Sequence, residues 1–407
     1  MSIKSALTRG LTSPMVLRPV FAVLRRVAPV LVVGNRAVVS RQADVIDALS
    51  RPEEFTISQV NAANIDRHDG PFILGMDPSE QYTRERRMLL EAVRPDDLDR
   101  VTALTVEHAT ALIGEAIGDR RIDVVNGYAR VAAVRLVTRY FGVPLPSGGE
   151  AQLMRWLRDI FFDVFLNAGG DQRKRATALQ SGAALKQHLD AEIARRNALG
   201  AEHAQDDVLG RLLAMKGPDR PWLDDDTVRR NLTGLVVGAV DTTSKFVALA
   251  MTVFLGRPAA LAATREAALR GDTDTVRRFT YEAERFFPHT PIVVRYCANG
   301  AVVGAHRRRV RPGTTVVLST ISAMFDPAAF SRPGSFDADR LPTPEYLHFG
   351  YGMHRCFGAQ INDRQLPELV AGLVRLPGLR RAPRMAGQIR WDGPFPDRLV
   401  VAFDGGT

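Results

Sequence analysis

Cysteine is scarce in this chain of 407 residues, which has only Cys297 and Cys356. Two cysteines exclude a disulfide framework, and so few thiols favour a reducing compartment. We therefore expect a cytoplasmic protein. Aromatic residues are also sparse at 7%, whereas apolar residues make up 45% and charged residues 24%. This balance is typical of a globular protein.

Long uncharged hydrophobic runs are missing from the first 33 residues, where basic side chains and prolines interrupt the apolar sequence. No run there reaches the length that a membrane-spanning helix needs. The short apolar piece 11–17 is not followed by a small-residue cleavage site, so a signal peptide is not expected. We expect residues 1–30 to form an N-terminal arm packed on a single domain of residues 31–407, with membrane contact at most peripheral.

Acidic residues are fewer than basic ones, and the formal net charge is +9. A basic balance suits nucleic acid, a membrane surface or an acidic protein partner. The arginines are spread along the chain, and no motif interleaves them with aromatic residues, which argues against nucleic acid. The charge therefore favours an acidic protein partner.

One of the two cysteines, Cys356, lies in a glycine-rich segment, His348-Phe-Gly-Tyr-Gly-Met-His-Arg-Cys356-Phe-Gly358. Cys356 follows a glycine-rich turn and precedes an apolar, helix-forming stretch, and the start of a helix lowers the pKa of a thiol. The glycines let a flat ligand approach the backbone closely. A thiolate held in this way suits axial ligation of haem iron. The alternative is that Cys356 is a small buried hydrophobic residue.

The segment resembles the haem-thiolate signature of the cytochrome P-450 monooxygenases, Phe-x-x-Gly-x-[His/Arg]-x-Cys-x-Gly. Every defined position matches, namely Phe349, Gly352, His354, Cys356 and Gly358. The resemblance covers residues 30 to 407. It implies haem b as the cofactor, with Cys356 as the axial ligand of iron and Phe349 and Gly350 in the binding loop.

A second motif lies in an apolar helical pattern that ends near Leu255, in the segment Gly238-Ala-Val-Asp241-Thr242-Thr243. An acid in an apolar helix is costly without a task or a partner. The Thr242 hydroxyl competes for the Gly238 carbonyl, which favours local opening of the helix. The segment resembles the family's [Ala/Gly]-Gly-x-[Asp/Glu]-Thr motif, with Ala239 in place of the second glycine. That resemblance implies that Asp241 and Thr242 deliver protons for oxygen activation; the alternative is a buried, satisfied Asp-Thr pair.

Two further segments match the family's scaffold and haem clamp. Glu282 and Arg285 lie three apart on a predicted helix and therefore face each other. The family buries this Glu-x-x-Arg pair behind the haem, with a third partner from a Pro-x-Arg-Phe segment. Here that segment reads Pro333-Gly334-Ser335-Phe336, so its arginine is missing, and Arg340 is the candidate replacement.

The two haem propionates need cationic or hydrogen-bonding partners. The resemblance implies three sources for them. Arg295 follows an apolar run after the Glu-x-x-Arg helix, and His354 lies in the cysteine segment. The stretch 77–86 resembles an Asp-Pro-Pro-x-His-x-x-x-Arg segment with one residue inserted, where Tyr82 replaces the histidine and Arg86 keeps the charge.

The periodicity predicts a mainly α-helical protein with a minor β portion, the layout of the cytochrome P-450 fold. We expect long helices over residues 98–255 and a helix from 359 to 374. A hairpin is expected over residues 31–39, and a helix over 42–49. Further strands are expected at 293–296, 301–303, 314–319 and 398–403.

These observations predict a haem-dependent monooxygenase that acts on a hydrophobic small molecule. The expected pocket walls are Ile73, Leu74, Val237, Gly238, Ile292, Val293 and Phe395. The resemblance implies a ferredoxin and its reductase as electron donors, which would dock near Arg84, Arg87 and Arg355. Two alternatives stay open, namely a peroxide-using haem-thiolate peroxygenase or isomerase, and a non-catalytic haem protein that binds a ligand.

Overall fold

The computed structural model describes residues 14–167, 169–200, 205–305, 307–340, 346–393 and 395–405. Residues 1–13 of the predicted N-terminal arm lie outside the described residues. From residue 14 the arm forms helix α1 (Pro14–Val27). Arg25 donates to the carbonyl oxygen of Ser322 at 3.0 Å and to its hydroxyl at 2.8 Å, and Phe21 is buried. These contacts hold α1 against the rest of the protein.

Helices make up most of the remaining chain, as the periodicity predicts. They are α2 (Gln42–Leu49), α3 (Ser58–Asp69), α4 (Glu80–Ala92), α5 (Leu98–Ala116), α6 (Arg130–Arg139), α7 (Gly149–Phe165), α8 (Gln172–Leu199), α9 (Val208–Ala214), α10 (Asp225–Leu255), α11 (Pro258–Leu269), α12 (Thr273–Phe286), α13 (Thr320–Ala323) and α14 (Ala359–Val374). A π-helical turn (Val124–Ala129) leads into α6, and a 3-10 turn (Gly352–His354) precedes α14.

Helix α10 runs through the core of the molecule. Its N-cap is Asp224, whose carboxylate accepts a hydrogen bond from the Thr227 N–H at 2.8 Å. The helix continues for 31 residues and buries most of its side chains. By length and composition it is the one described helix that could cross a membrane, but 78% of its most apolar window is buried inside the protein. This burial explains a pattern that is apolar nearly all round.

The β portion is small and divided among several sheets. Its strands are β1 (Val30–Val33), β2 (Arg36–Val39), β3 (Phe55–Thr56), β4 (Arg121–Asp123), β5 (Val293–Cys297), β6 (Ala301–Val303), β7 (Arg308–Val310), β8 (Thr314–Leu318), β9 (Arg380–Arg381), β10 (Arg390–Asp392), β11 (Phe395–Arg398) and β12 (Val400–Ala402). The largest sheet has the order β1-β2-β8-β5-β3, in which only β2 and β8 are parallel.

The C-terminal β structure differs from the prediction. The expected strand 398–403 is shorter, because β11 ends at Arg398 and β12 spans only Val400–Ala402. Strands β10 and β11 form an antiparallel hairpin that the sequence did not indicate. The hairpin brings Phe395 and Trp391 to the interior of the molecule, where both line the cavity described below.

Helix α14 has the predicted bounds and begins directly after the cysteine segment. It packs against α5, α12 and α10. The cysteine segment is thereby fixed at one end by a helix that belongs to the core. The fold class is the expected one, mainly α with a minor β portion.

Candidate active site

The cysteine loop (residues 348–358) makes a tight turn before α14. Gly350 and Gly352 have φ values of 71° and 68°, in the left-handed region that residues with a Cβ rarely adopt. A Cβ on Gly352 would lie 2.3 Å from the carbonyl oxygen of Leu49. The turn lets the Cys356 N–H donate to the Phe349 carbonyl at 2.8 Å. The glycines therefore shape the loop that presents Cys356.

A cavity of about 1390 Å³ lies between the cysteine loop and α10. Cys356 lines it from the loop, and Gly238 and Thr242 line it from the helix. Every residue that the sequence assigned to cofactor binding borders this cavity: Tyr82, Arg86, Arg295, Phe349, Gly350, His354 and Cys356. The fold thus brings three distant segments of the chain to one place.

The protein around the Cys356 sulfur acts on its pKa in two directions. Desolvation raises the pKa of the thiol, whereas the Gly358 N–H and the Arg355 charge lower it, as the position before a helix predicts. The side chain is exposed to the cavity, so its charge depends on what fills that cavity. Coordination to a metal would favour the thiolate, since a coordinating thiol is deprotonated outright.

The donor set fits haem rather than a bare metal ion. The described part of the chain contains no group of three or more His, Cys, Asp or Glu side chains that could hold a metal. Haem iron brings its own nitrogen ligands and requires only an axial side chain from the protein. A single thiol that faces a large cavity meets that requirement. The fold and the site together define a haem-thiolate protein.

Arg295 is a buried cation with little compensation from the protein. The residue is 5% exposed, and its guanidinium donates at 2.9 Å to the carbonyl of the neighbouring Val294. Burial lowers the pKa of Arg295 to about 10, which the charge of Asp77 opposes. An anionic group in the cavity would offset the cost of burial, because charge-assisted hydrogen bonds to guanidinium are strong. Arg295 therefore fits a propionate.

Tyr82 and His354 use their donors on the protein itself. The Tyr82 hydroxyl donates to the Met353 carbonyl at 2.7 Å, so its proton serves the cysteine loop rather than a ligand, contrary to our expectation. The sequence of residues 77–86 does not indicate this contact, because it depends on how α4 packs against the cysteine loop. His354 Nε2 donates to the Met76 carbonyl at 2.8 Å, which leaves only Nδ1 for a further contact. Burial lowers the pKa of His354.

Glu282 and Arg285 form a fully buried bidentate ion pair on α12. The Arg285 Nη2 lies 2.7 Å from Glu282 Oε1, and Nε lies 2.8 Å from Oε2. The remaining guanidinium N–H groups donate to backbone carbonyls of Met324, Pro333 and Ser335. The pair therefore ties α12 to the irregular chain that leads to the cysteine loop.

The position of the missing arginine is partly filled by Arg340. Its Nε lies 3.6 Å from Glu282 Oε1, within ion-pair distance. Ser335, which stands where the family has the arginine, contributes its carbonyl oxygen to Arg285 instead. Tyr346 and the Asp337 N–H complete the set of donors to Glu282, at 2.8 and 2.9 Å.

Thr242 faces the cavity from the middle of α10. Its hydroxyl donates to the Gly238 carbonyl at 2.5 Å, the contact that the sequence predicted. The helix is continuous across these residues, so the contact forms without the local opening that we expected. The reason is that a threonine hydroxyl can share the carbonyl of residue i−4 without displacing the helical bond.

Asp241 lies behind the cavity wall. The residue is 2% exposed, and its Oδ1 accepts hydrogen bonds from Arg130 Nε at 3.0 Å and Nη2 at 2.5 Å. Arg158 Nη1 lies 4.0 Å from the same oxygen, and Arg158 Nη2 lies 2.7 Å from Asp392, a side chain 46% exposed. A chain of charged groups therefore links Asp241 to the protein surface.

Six of the seven expected wall residues border the cavity, namely Ile73, Leu74, Gly238, Ile292, Val293 and Phe395. Val237 does not. It is 6% exposed and packs in the apolar core among side chains of neighbouring helices. Consecutive residues of a helix point about 100° apart, and on α10 Gly238 and Ala239 border the cavity whereas Val237 turns to the core. The prediction for Val237 was wrong.

Several wall residues were missed by sequence reasoning. They are Phe161 and Phe165 at the end of α7, Lys245 on α10, His289 after α12, and Trp391 on β10. Aromatic residues at helical spacing are ordinary core residues in a sequence, so the two phenylalanines carried no signal. Lys245 did have a sequence signal, because it is the only basic residue between Arg230 and Arg257 in an otherwise apolar stretch.

The chain matches the family model described as Cytochrome P450 over residues 37–375. The chain belongs to the cytochrome P450 family. Members of this family bind haem b through a cysteine thiolate and are monooxygenases, and this chain is an enzyme of that class.

Relatives with named activities include two bacterial enzymes. The chain is 30% identical to Nocardicin C N-oxygenase of Nocardia uniformis subsp. tsuyamanensis over 316 residues, which cover 76% of this chain and 73% of that protein. It is 26% identical to C-19 steroid 1alpha-hydroxylase of Sorangium cellulosum over 317 residues, 75% of this chain and 76% of the other.

Solved structures give the same fold. The crystal structure of CalO2 has a TM-score of 0.83 and 25% identity, with 97% of each chain covered. The structure of P450BioI in complex with an acyl carrier protein that carries hexadec-9Z-enoic acid has a TM-score of 0.80 and 18% identity. It covers 96% of this chain and 99% of that one, and it supports the fold alone.

Proposed function

We propose that this cytochrome P450 activates dioxygen to hydroxylate, or otherwise oxidise, a hydrophobic small molecule with electrons from an external partner. The observation that carries the proposal is that Cys356 and Thr242 border one cavity from different elements. Haem bound there supplies the redox chemistry of oxygen activation. The chain orients the substrate, manages protons and keeps water out.

The residues that would hold the haem come from the three segments described above. Cys356 would bind the iron through its sulfur, and Phe349 and Gly350 would border the haem from the cysteine loop. Arg295 and Arg86 supply the positive charge for the propionates, and His354 adds a polar contact through Nδ1. Tyr82 positions the cysteine loop through Met353.

Protons enter through Asp241 and reach the cavity through Thr242. Asp241 Oδ2 is buried and has no hydrogen-bond partner among the described residues, so it is the carboxylate oxygen left to accept a further hydrogen bond. Arg130 and Arg158 hold this carboxylate in place, and Arg158 joins it to the exposed Asp392; an arginine keeps its own proton, so these residues position Asp241 and do not carry the proton. The Thr242 hydroxyl can leave the Gly238 carbonyl and present its proton at Oγ1 to the cavity, which is the role of a positioned general acid.

The cavity favours a hydrophobic substrate. Its walls include Ile73, Leu74, Ile292, Val293 and Phe395, with Gly238 leaving room beside α10. Apolar walls with a few placed polar groups are typical of small-molecule sites. Hydroxylated steroids and N-oxygenated products are the outcomes named for two relatives, and the position oxidised here depends on how the substrate lies against these walls.

A ferredoxin and its reductase are the expected electron donors, since bacterial members of the family use such partners. Arg355 borders the cysteine and is exposed, as is Arg87 on α4, while Arg84 is half-buried under Trp222. Positive charge on this side speeds association with an acidic protein. We place the enzyme in the cytoplasm, where such donors and a reducing environment occur together.

Substitution of Thr242 by Ala tests the oxygen chemistry. We expect the fraction of electrons recovered in product to fall at least about tenfold, with hydrogen peroxide released instead, because the proton at Oγ1 is lost. Thr252→Ala is the matched control. Thr252 lies on the same helix, and its hydroxyl makes the same kind of contact to the Ala248 carbonyl at 2.8 Å. Equal coupling in both variants would exclude the proposed role of Thr242.

The same assay separates dioxygen from peroxide as the oxidant. Product formed with peroxide but not with a ferredoxin system would favour a peroxygenase or isomerase. Thr242 borders the cavity, and Asp241 lies next to it behind the wall. Their presence favours dioxygen as the oxidant, because peroxide chemistry does not need a supply of protons from the surface. Ligand binding without product under either condition would favour a non-catalytic haem protein.

A further inference from the structure

Lys245 is a buried cation on the wall of the cavity. It lies on α10, three residues beyond Thr242, and the residue is only 7% exposed. Its ammonium lies 4.3 Å from the centre of the Phe395 ring, and both residues border the cavity. Within the described part of the chain, no hydrogen bond or ion pair reaches this ammonium.

The isolation of Lys245 sets it apart from other buried cations of this protein. A buried charge is costly unless it is paired and hydrogen-bonded. Elsewhere the described structure meets that condition with buried ion pairs: Arg130 with Asp241, Arg211 with Asp97, Arg229 with Asp69, Arg230 with Glu85, and Arg285 with Glu282. Arg295 lacks such a pair as well, and a propionate accounts for it. Lys245 has no comparable explanation within the chain.

Glu284 is a carboxyl group whose charge acts on Lys245, but no ion pair joins the two side chains among the described residues. Its Oε1 accepts the backbone N–H of His289 at 2.5 Å and lies 2.5 Å from His289 Nδ1. Burial raises the pKa of Glu284 well above its usual range, which favours the neutral carboxyl group. Glu284 is fully buried and does not border the cavity, so a ligand would meet Lys245 and not the acid behind it.

The ammonium keeps its charge near neutral pH. Burial lowers the pKa of Lys245 to about 8, and Glu284 opposes this effect. Arg86 and Arg295 also border the cavity but are assigned above to the haem propionates, and Arg355 lies in the cysteine loop, which leaves Lys245 as the charged donor on the α10 side. A charged donor among largely apolar walls selects a ligand with one anionic group and an apolar body. Around the cavity, Phe161, Phe165 and Leu235 offer apolar surface for such a body.

We propose that Lys245 binds the carboxylate of the substrate, so that this enzyme oxidises an apolar organic acid. The inference rests on the proposed function, because it assigns the class of substrate to the same cavity. The carboxylate replaces the water that otherwise solvates the ammonium, and Phe395 supports the charge from the opposite side through its ring face. The acid end of the substrate is thereby fixed near the β10–β11 hairpin, and the apolar end extends towards the rest of the cavity.

A panel of matched ligands tests the proposal on the wild-type holoenzyme. The decyl chain is presented in three forms that differ in charge, decanoate, 1-decanol and decyltrimethylammonium, of which the cation should bind most weakly. An aromatic body is presented in two forms, 4-phenylbutanoate and 4-phenyl-1-butanol. Binding is measured by calorimetry and by the change in the Soret band. We expect the acids to bind at least about tenfold more tightly than the alcohols, the gain typical of a hydrogen bond to a charged group. If no acid binds more tightly than its alcohol, the proposal is wrong.

Substitution of Lys245 by Met then assigns the preference to this side chain. The variant should bind acids at least about tenfold more weakly while its affinity for the alcohols changes little. Lys174→Met is the matched control. Lys174 also lies over an aromatic ring, 3.9 Å from the centre of Phe162, but its side chain is 45% exposed and does not border the cavity. The control should keep the full preference for acids.

Glu284→Gln separates anion binding from simple charge balance. Because the buried Glu284 carboxyl group is neutral and bonded to His289, this change should leave the preference for acids in place. Loss of the preference in Glu284→Gln, or its persistence in Lys245→Met, would overturn the proposal. The carbon monoxide spectrum of each protein is recorded first. A normal haem-thiolate spectrum with no preference for acids refutes only the role of Lys245, whereas an abnormal spectrum in the wild type refutes the proposed function.

Discussion

Cys356 is held by interactions that act on different parts of the residue. Its backbone N–H is bonded to Phe349, its carbonyl accepts the Ala359 N–H at 3.2 Å, and its sulfur faces the cavity. The backbone of the loop is thus fixed by bonds that leave the sulfur on the cavity side, where the Gly358 N–H approaches it. Because coordination to iron deprotonates a thiol outright, we expect Cys356 as a thiolate in the haem-bound protein.

Gly352 is the residue on which the shape of this loop depends most directly. Gly352→Ala should weaken haem retention, because a Cβ at φ 68° is strained and would lie 2.3 Å from the Leu49 carbonyl oxygen. We expect a loss of more than about 1 kcal/mol in the free energy of unfolding. Haem content and chemical denaturation measure the two effects.

The control for this change is Gly217→Ala. Gly217 lies in the connection before α10, and a Cβ there meets no atom within 4 Å. It should leave haem content and stability close to those of the wild type. Equal behaviour of the two variants would show that the loop tolerates a different conformation at residue 352.

At the scale of elements, α12 is joined to the cysteine loop region by the buried pair Glu282–Arg285. Glu282→Gln removes one charge and leaves Arg285 buried without an anion. Loss of one partner of a buried pair typically costs about 3–5 kcal/mol. We therefore expect a marked drop in thermal stability and in the yield of haem-loaded protein.

An exposed ion pair on the neighbouring helix α11 gives a matched control. The side chain of Glu266 is 74% exposed and pairs with Arg270 at 2.5 Å. Exposed pairs contribute about 0–1 kcal/mol, so Glu266→Gln should change stability little. A similar loss in both variants would mean that the burial of Glu282 has no special energetic role.

Several elements could be predicted because their signals are local. Helix α14 and the hairpin β1–β2 lie where the sequence pattern places a helix over 359–374 and a hairpin over 31–39. The hairpin β10–β11 could not, since it contains charged residues and Pro396 and depends on packing against the core. Short strands of this kind are stabilised by their surroundings rather than by their own sequence.

The candidate site divides in the same way. Cys356, Thr242 and Arg285 lie within motifs and Arg295 follows one, so the resemblance pointed to them. Of these, Cys356, Thr242 and Arg295 border the cavity. The hydrogen bond from Tyr82 to the cysteine loop and the walls contributed by α7 depend on tertiary packing. Val237 was misassigned because it neighbours a true wall residue in the sequence but points into the core.

At the scale of the whole molecule, a buried histidine links stability to pH. Burial lowers the pKa of His348 from 6.5 to about 3, with smaller contributions from His289 and Arg285. Between these two pH values the unfolded chain binds the proton and the folded protein does not. The free energy of unfolding should therefore fall as the pH decreases from about 6.5 towards 3, by up to about 1.4 kcal/mol per pH unit from this group.

His348→Gln isolates this contribution, because glutamine does not titrate. Denaturation curves at several pH values should show a smaller acid-induced loss of stability in the variant than in the wild type. Burial also lowers the pKa of His289 to about 3. Because both proteins contain His289, the difference between their pH dependences reports on His348. Identical pH dependence in the two proteins would mean that His348 becomes protonated without unfolding.

The central claim, that the molecule is a haem-thiolate oxygenase, is tested most directly by the carbon monoxide difference spectrum of the dithionite-reduced protein. We predict a strongly red-shifted Soret band, retained in Cys297→Ala and lost in Cys356→Ala. Haem bound without that shift, or the same shift in Cys356→Ala, would contradict the account, because the axial ligand would then be something other than the Cys356 thiolate.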